Sequence, residues 1–143
     1  MPPHVRRETA RIVMSEVDVA QIHFTALFRR MDSSLCHWLA EIGHPFTSIL
    51  ETGPGIPIID SRCRFMARVV LDDLVTITTF VTGVGRTSFR SRHLFTRDGQ
   101  PVAEGELVHV CVDRSTRATV PVPDWIRAAA VDDPAALDLG TGS

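Results

Sequence analysis

Residues 71–113, LDDLVTITTFVTGVGRTSFRSRHLFTRDGQPVAEGELVHVCVD, decide the fold of this chain. Runs rich in β-branched and aromatic residues, which favour strands, alternate there with short turns. The turns are Gly83-Val84-Gly85 and Arg97-Asp98-Gly99, and both are typical of β-hairpins. A further strand-like run precedes Asp72-Asp73, so the second half of the chain indicates an antiparallel meander of four strands. The strands are expected over residues 58–70, 74–82, 87–96 and 101–112.

The first half of the chain contains one strongly helical segment, over residues 25–41. Its apolar residues recur at intervals of three and four, which places them on one face of a helix. Gly43 and Pro45 then stop the helix. The apolar face consists of Leu27, Met31, Leu35, Trp38, Leu39 and Ile42.

Weaker patterns complete the expected order. A first strand is expected over 5–14, a Gly/Pro-rich loop over 44–60, and a short helix near 124–130. One long central helix against an antiparallel sheet of about five strands makes an α+β domain over residues 1–130. Residues 131–143 are small, acidic and Gly/Pro-bearing, and we expect a flexible C-terminal tail there. A single helix leaves part of the sheet uncovered, which favours pairing with a second chain.

Composition excludes several classes of chemistry. The chain has 143 residues, which sets one domain as the default, and all 15 of its basic residues are Arg. The absence of Lys and Tyr rules out a Schiff-base lysine, a Walker-type phosphate loop and a tyrosine general acid. The net charge of −2 gives no overall signature of nucleic-acid binding.

The compartment is expected to be the cytoplasm. The three cysteines have no C-x-x-C spacing and are odd in number, which argues for free thiols in a reducing environment. The first residues lack the apolar core of a secretory signal, and no apolar run is long enough to span a membrane.

Residues 15–43, SEVDVAQIHFTALFRRMDSSLCHWLAEIG, resemble the signature of hot-dog fold thioesterases of the 4-hydroxybenzoyl-CoA thioesterase type. The matching features are an acidic pair, an aromatic residue, a helix acid and a closing glycine, which are here Glu16, Asp18, Phe24, Asp32 and Gly43. The GVGRTSF hairpin, the DGQPVAEG turn, the VCVD strand and the PVP exit continue the resemblance to about residue 128. The chain departs from the family pattern at Ala20-Gln21 and Leu27-Phe28, and its helix acid comes one residue early.

The resemblance implies hydrolysis of an acyl-CoA or acyl-carrier-protein thioester by a homodimer or homotetramer. Asp18 matches the family's catalytic carboxylate, which attacks the carbonyl or activates water. On residue type alone, a turn or helix-capping role is the commoner one for a loop aspartate, and the resemblance favours the catalytic role instead. Glu16 either assists Asp18 or is an exposed charge at a strand end.

The start of the helix is the second expected site element. Free backbone N–H groups near Thr25 would stabilise the oxyanion that forms on the thioester carbonyl. His23 either contacts the substrate or caps the helix. Asp32 either orients groups at the substrate or is a surface charge of the helix.

The remaining expected contacts are with the substrate. Phe24, Phe28 and Trp38 are expected to line the acyl pocket. Thr87 and Ser88 would donate hydrogen bonds to the substrate held by the partner subunit. Arg86 and Arg90 would meet the phosphates of coenzyme A.

We expect no metal and no cofactor apart from the coenzyme A or phosphopantetheine of the substrate. The residues His109, Cys111 and Asp113 share a strand face, but three ligands on one strand rarely converge on one ion. Two other functions stay open at this point. One is a non-catalytic acyl-CoA binding or sensing module, and the other is a hot-dog dehydratase that pairs His23 with Asp32.

Overall fold

The computed structural model describes residues 2–137, which form one five-stranded sheet and three helices. The α+β class and the strand count are as predicted. No helix within the described residues is both long and apolar enough to cross a bilayer. The elements in chain order are β1 Arg6–Arg11, α1 Phe24–Glu41, α2 Phe46–Thr52, β2 Ile58–Phe65, β3 Leu74–Thr82, β4 Ser88–Arg97, β5 Gln100–Val110 and α3 Asp124–Ala129.

The sheet is antiparallel throughout, with the strand order β1-β3-β4-β5-β2. The predicted four-strand meander is therefore wrong in one respect, because β2 pairs with β5 at the far edge instead of with β3. The segment between β2 and β3 carries the chain across one end of the sheet. It bonds to β5 where the Met66 N–H donates to the Val102 carbonyl, and to the end of β1 where Asp72 donates to Ile12. No local pattern distinguishes this crossing from a hairpin turn.

Helix α1 covers the inner face of the sheet with its apolar stripe. Leu27, Met31 and Trp38 are buried against the strands, as the periodicity predicts. The helix approaches β5 closely at Gly105, where an added Cβ would lie 2.5 Å from the Met31 Sδ atom. Trp38 also ties the stripe to the β1 side of the sheet, since its side chain is fully buried and its Nε1 donates to the His4 carbonyl at 3.0 Å.

Helix α2 lies in the segment that was predicted to be a loop. Pro45 precedes its first turn, and Ile49 is its one buried residue. A seven-residue helix with a single buried position shows no clear period, and the surrounding glycines and prolines favour a loop reading. The loop prediction is therefore wrong for residues 46–52.

The C-terminal segment packs on the outer face of the sheet as far as residue 137. Val131 is buried against Phe80 and Leu94, and Leu137 packs against the same cluster. The Thr82 hydroxyl donates to the Val131 carbonyl at 2.7 Å. The predicted flexible tail therefore does not begin at residue 131, and its last part, 138–143, lies outside the described residues.

Candidate active site

The loop that leads into α1 folds back on itself and presents Asp18 near its tip. The Asp18 N–H donates to the Gln21 carbonyl at 3.0 Å, and the His23 N–H donates to the Glu16 carbonyl at 2.7 Å. The Ile22 N–H anchors the loop to Val69 at 2.7 Å. These bonds place Asp18 on a short turn beside the first residues of the helix, so the turn and the catalytic hypotheses for this residue are compatible.

The Asp18 side chain is exposed. Within residues 2–137 it has no hydrogen bond or ion pair to another side chain or to the backbone. A carboxylate of this kind is free to meet a substrate, because no internal partner must first be displaced.

Glu16 lies two residues before Asp18 and has a different environment. Its carboxylate accepts hydrogen bonds from the Arg30 Nε at 2.7 Å, the Arg30 Nη2 at 2.6 Å and the Val13 N–H at 3.0 Å. Burial would raise the pKa of Glu16, but these donors outweigh burial and hold the pKa below its ordinary value. Glu16 is thus an ionised anchor of the loop, and these contacts leave the predicted role in catalysis untested.

His23 caps α1 and engages the amide that was expected to bind the oxyanion. The Thr25 N–H donates to the His23 Nδ1 at 3.3 Å, and the Thr25 hydroxyl lies 2.7 Å from the same nitrogen. The Phe24 ring stacks on the imidazole with centroids 4.8 Å apart. The cap bond of Thr25 is long, and rotation of the His23 ring would free its amide.

The other predicted residues of α1 lie on the side of the helix that faces away from β1. Arg30 and Ser34 mark the β1 side, since they donate to the Arg11 carbonyl and the Glu8 carboxylate. Phe28 and Asp32 are rotated from these residues by the helical repeat, toward the open side near β2. Phe28 is half-buried, and Asp32 is exposed.

A cleft of about 260 Å³ lies between the Asp18 loop and the end of β2. Arg68 closes one side of it and donates from its Nη2 to the Ala20 carbonyl at 2.9 Å. Phe65 contributes an exposed ring. Neither residue was predicted to belong to the site, although strand alternation does place Phe65 on the inner face of the sheet. The cleft is lined by Gln21, Ile22, Phe65, Ala67, Arg68 and Val69.

Four predicted substrate contacts lie at the opposite end of the sheet. The Asp18 loop borders Val69, and the adjoining Arg68 carbonyl accepts a bond from Arg97 at the end of β4. The start of β4 is nine residues away, which is roughly 30 Å in an extended strand. One chain therefore does not bring these residues to Asp18. They are Arg86, Thr87, Ser88 and Arg90.

A larger groove, of about 460 Å³, lies on the outer face of the sheet, away from the Asp18 loop. Two of its arginines are paired, since Arg64 lies 3.8 Å from Glu104 and Arg62 lies 3.0 Å from Asp60. The third, Arg92, lies over the Phe80 ring at 5.8 Å from its centroid. The predicted substrate contact Arg90 does not line the groove but pairs with Glu106, which does, at 3.1 Å. Exposed pairs of this kind form an ordinary solvated face.

Comparison with known proteins then gives the family. The family model described as the thioesterase-like superfamily matches residues 12–130. The chain belongs to the thioesterase-like superfamily. The match includes the Asp18 loop, all three helices and the strands β2 to β5, and it confirms the predicted resemblance.

Relatives and solved structures agree with this membership. The chain is 30% identical over 81 residues to a 1,4-dihydroxy-2-naphthoyl-CoA hydrolase of Prochlorococcus marinus, and the alignment covers about half of each chain, 54%. It is similar to the structure of a gentisyl-coenzyme A thioesterase, with a TM-score of 0.78, 25% identity and coverage of 88% and 100%. The 4-hydroxybenzoyl-CoA thioesterase of Pseudomonas sp. strain CBS-3 shares the fold, with a TM-score of 0.75, 24% identity and coverage of 87% and 98%. The predicted hot-dog fold is thereby confirmed.

Proposed function

We propose that this member of the superfamily hydrolyses acyl-CoA or acyl-carrier-protein thioesters, with Asp18 as the catalytic carboxylate. The observation that carries the proposal is the exposed Asp18 side chain, which has no partner among residues 2–137, on a turn fixed beside the N-terminus of α1. Glu16 is already bound by Arg30, which leaves Asp18 as the available acid of the loop.

The reaction needs few groups. Water adds its oxygen to the thioester carbon, the C–S bond breaks, and the thiolate leaves and takes up a proton. Asp18 either removes the proton from the attacking water or attacks first and forms an anhydride that water then cleaves. A thiol with a pKa of about 8.5 is a good leaving group, so no strong general acid is required. This suits a chain without Lys or Tyr.

The amide of Thr25 would stabilise the negative charge on the carbonyl oxygen. Donors in the first turn of a helix have no acceptor within the helix and point toward an incoming anion. The substrate oxygen would replace His23 as the acceptor of the Thr25 N–H, whose present bond is 3.3 Å long. His23 would then cap the helix in the free enzyme, and the substrate would displace its ring from the Thr25 N–H.

Release of free thiol from a panel of acyl-CoA substrates tests the proposal. Dihydroxynaphthoyl-CoA and hydroxybenzoyl-CoA enter the panel with straight-chain acyl-CoAs, because relatives act on aromatic acyl groups. We expect turnover of at least one thioester and a loss of about 10²- to 10⁴-fold in kcat for Asp18→Asn. Asp98→Asn, an exposed aspartate in the β4–β5 turn, is the matched control and should retain full activity.

Two outcomes would contradict the proposal. Binding of acyl-CoA without turnover would identify a non-catalytic binding module instead. Full activity of Asp18→Asn would remove this carboxylate from the mechanism.

The proposed enzyme is a homodimer, or a dimer of dimers, built on the edge strand β2. The opposite edge, β1, has four charged residues among six, Arg6, Arg7, Glu8 and Arg11, and so resists strand pairing. Strand β2 instead exposes Ile58, Ile59 and Phe65 beside a backbone edge that no described strand pairs. Antiparallel pairing of two β2 strands across a two-fold axis would bring the start of β4 in one subunit toward the Asp18 loop of the other. In this arrangement Arg86, Thr87, Ser88 and Arg90 can reach a substrate bound at the partner's site, which they cannot reach within one chain. The expected compartment of the dimer is the cytoplasm.

A further inference from the structure

The segment between β2 and β3 holds the loop that carries Asp18 at two points. The Val69 carbonyl accepts a hydrogen bond from the Ile22 N–H at 2.7 Å. The Arg68 Nη2 donates to the Ala20 carbonyl at 2.9 Å. Both contacts are made within four residues of Asp18 in the chain. The position of the Asp18 carboxylate therefore depends on the position of this segment.

Arg97, the last residue of β4, holds the same segment from the neighbouring hairpin. Its Nη1 donates to the Arg68 carbonyl and to the Asp73 Oδ2, each at 2.6 Å. The same Asp73 oxygen accepts a hydrogen bond from the Val70 N–H at 2.8 Å. The side chains of Arg97 and Asp73 are 29% and 19% exposed, so solvent screens their interaction less than that of an open surface pair. The backbone on both sides of Val69 is thus tied to one ion pair.

The hairpin that carries Arg97 has a well-defined geometry. Strands β4 and β5 are joined by the two residues Asp98 and Gly99, whose φ angles are 53° and 76°. Positive φ at both positions of a two-residue loop is what a type I′ turn requires, and the twist of this turn matches that of paired strands. Arg97 itself pairs with Gln100 across the two strands. Its guanidinium therefore extends from a fixed position in the sheet.

We propose that Arg97 is a positioning residue for Asp18, acting through Asp73 and residues 68–70. The inference rests on the proposed thioesterase function, in which Asp18 is the catalytic carboxylate. Loss of the guanidinium would remove the donor to the Arg68 carbonyl and to Asp73, and the segment and the turn of Asp18 would then shift together. A displacement of about 1 Å at a catalytic group can lower the rate by about 100-fold. The expected signature is a fall in kcat with little change in KM, because Arg97 binds no part of the substrate in the proposed site.

Arg97→Gln tests the proposal, with thiol release from an accepted acyl-CoA as the assay. We expect kcat to fall about 10- to 100-fold, with KM within about threefold of wild type. Arg97→Lys keeps a charged N–H donor and should recover kcat to within about fivefold of wild type. Full kcat in Arg97→Gln, or equal losses in the two variants, would overturn the inference.

A second arginine–aspartate pair at the same end of the sheet provides the matched control. Arg11 donates to the Asp72 carbonyl at 3.3 Å and lies 4.0 Å from the Asp72 Oδ1. The two side chains are 56% and 73% exposed, and both contacts are with residue 72, outside the 68–70 segment. Arg11→Gln should therefore keep kcat within about twofold of wild type. A loss as large as that of Arg97→Gln would show that any arginine at this end has the same effect.

The Asp18→Asn background shows whether Arg97 acts through Asp18. Once the carboxylate is absent, its displacement has no further effect on the rate. The double variant should therefore have a kcat within about threefold of Asp18→Asn alone, at a temperature at which circular dichroism shows both to be folded. A general structural role predicts the same fold-loss in both backgrounds, and that result would overturn the inference.

Amide hydrogen exchange measures the same effect without reference to activity. The amides of Asp18 and Ile22 should exchange about tenfold faster in Arg97→Gln than in wild type, and at the wild-type rate in Arg11→Gln. Wild type that hydrolyses no thioester would overturn the proposed function itself. Active wild type with unchanged exchange in Arg97→Gln would overturn only the positioning role.

Asp73→Asn tests the same ion pair if Arg97→Gln does not fold. Its amide oxygen can still accept the Val70 N–H, but the charge that binds Arg97 is lost. We expect kcat to fall at least about fivefold in a folded Asp73→Asn, with KM again little changed. An unchanged kcat would contradict the proposed role of the pair.

Discussion

The two carboxylates of the Asp18 loop have different hydrogen-bonding environments although they are only two residues apart. Glu16 is held by three donors, whereas Asp18 has no internal partner among residues 2–137. The sequence identifies both as candidates but cannot separate them, because the Arg30 that binds Glu16 approaches from a helix 14 residues later. The fold brings Arg30 to Glu16, and this leaves Asp18 as the carboxylate of the loop that is available for chemistry.

Glu16→Gln should lower stability and leave chemistry largely intact. The change removes the charge that Arg30 binds, and hydrogen bonds to charged groups contribute about 1.5–3 kcal/mol each. We expect a loss of about 2 kcal/mol in the free energy of unfolding, measured in urea, with kcat within threefold of wild type. A loss of kcat as large as that of Asp18→Asn in a folded variant would instead assign Glu16 to catalysis.

Thr25→Pro should separate the amide of Thr25 from its hydroxyl. Proline removes the N–H but is tolerated in the first turn of a helix. Removal of one oxyanion donor lowers kcat by about 10²- to 10³-fold, which is the loss we expect here. Thr25→Ala keeps the amide and should stay within tenfold of wild type. Equal activity of the two variants, with native circular dichroism, would exclude the amide from the site.

At the level of elements, the position of α1 depends on a glycine in β5. A Cβ at position 105 would lie 2.5 Å from the Met31 Sδ and 3.2 Å from the Arg62 carbonyl oxygen. The helix can therefore approach the sheet only where β5 has no side chain. This contact lies about two helical turns from Thr25, so it also sets the height of the helix start above the strands.

Gly105→Ala should destabilise the fold by about 1–3 kcal/mol, because overpacking forces a shift of Met31 or of the strand. In a Met31→Ala background the same change should cost less than half as much, and a double-mutant cycle in urea measures the difference. Gly85→Ala, whose added Cβ would meet the Ser88 hydroxyl at an ordinary 3.4 Å, is the control. Equal costs in both backgrounds would show that Met31 is not the obstacle.

Most elements could be predicted from local pattern, and the exceptions share a cause. Helix α1 and strand β3 have long, regular patterns and were predicted to within a residue. Helix α2 has one buried residue and was missed. The predicted pairing partner of β2 was also wrong, because strand pairing depends on residues far apart in the chain, and alternation along one strand does not specify it.

On the scale of the whole molecule, the apolar core encloses a series of hydrogen-bonded polar side chains. The His93 Nδ1 lies 3.0 Å from the Thr79 hydroxyl, and its Nε2 lies 3.0 Å from the Ser91 hydroxyl. The His109 Nδ1 lies 3.2 Å from the Ile56 carbonyl oxygen. Burial and the neighbouring His109 lower the pKa of His93 to about 3. Burial likewise lowers the pKa of His109, against the opposing effects of the Ile56 carbonyl and the Asp32 charge.

These imidazoles predict that acid destabilises the fold well before the carboxylates titrate. The folded state holds the pKa of both imidazoles below its ordinary value, whereas the unfolded chain binds protons near an ordinary pKa of about 6.5. Their contribution is therefore present above pH 6.5 and is lost as the pH falls toward the lowered folded values. Urea unfolding between pH 7.5 and 5.5 should show this loss, with a slope of up to about 1.4 kcal/mol per pH unit per histidine. His93→Gln, which keeps hydrogen-bonding capacity, should flatten the curve, and an unchanged slope would contradict this account.

The sequence by itself determined the α+β class, the family and the short list of site residues. It could do so because helix period, strand composition and motif order are local properties of the chain. Only the tertiary structure decided that Arg30 binds Glu16, that Asp18 has no partner within residues 2–137, and that β2 lies at the edge of the sheet. These features depend on contacts between segments that are far apart in the chain. Local sequence patterns do not specify such contacts, because they arise only when the whole chain packs.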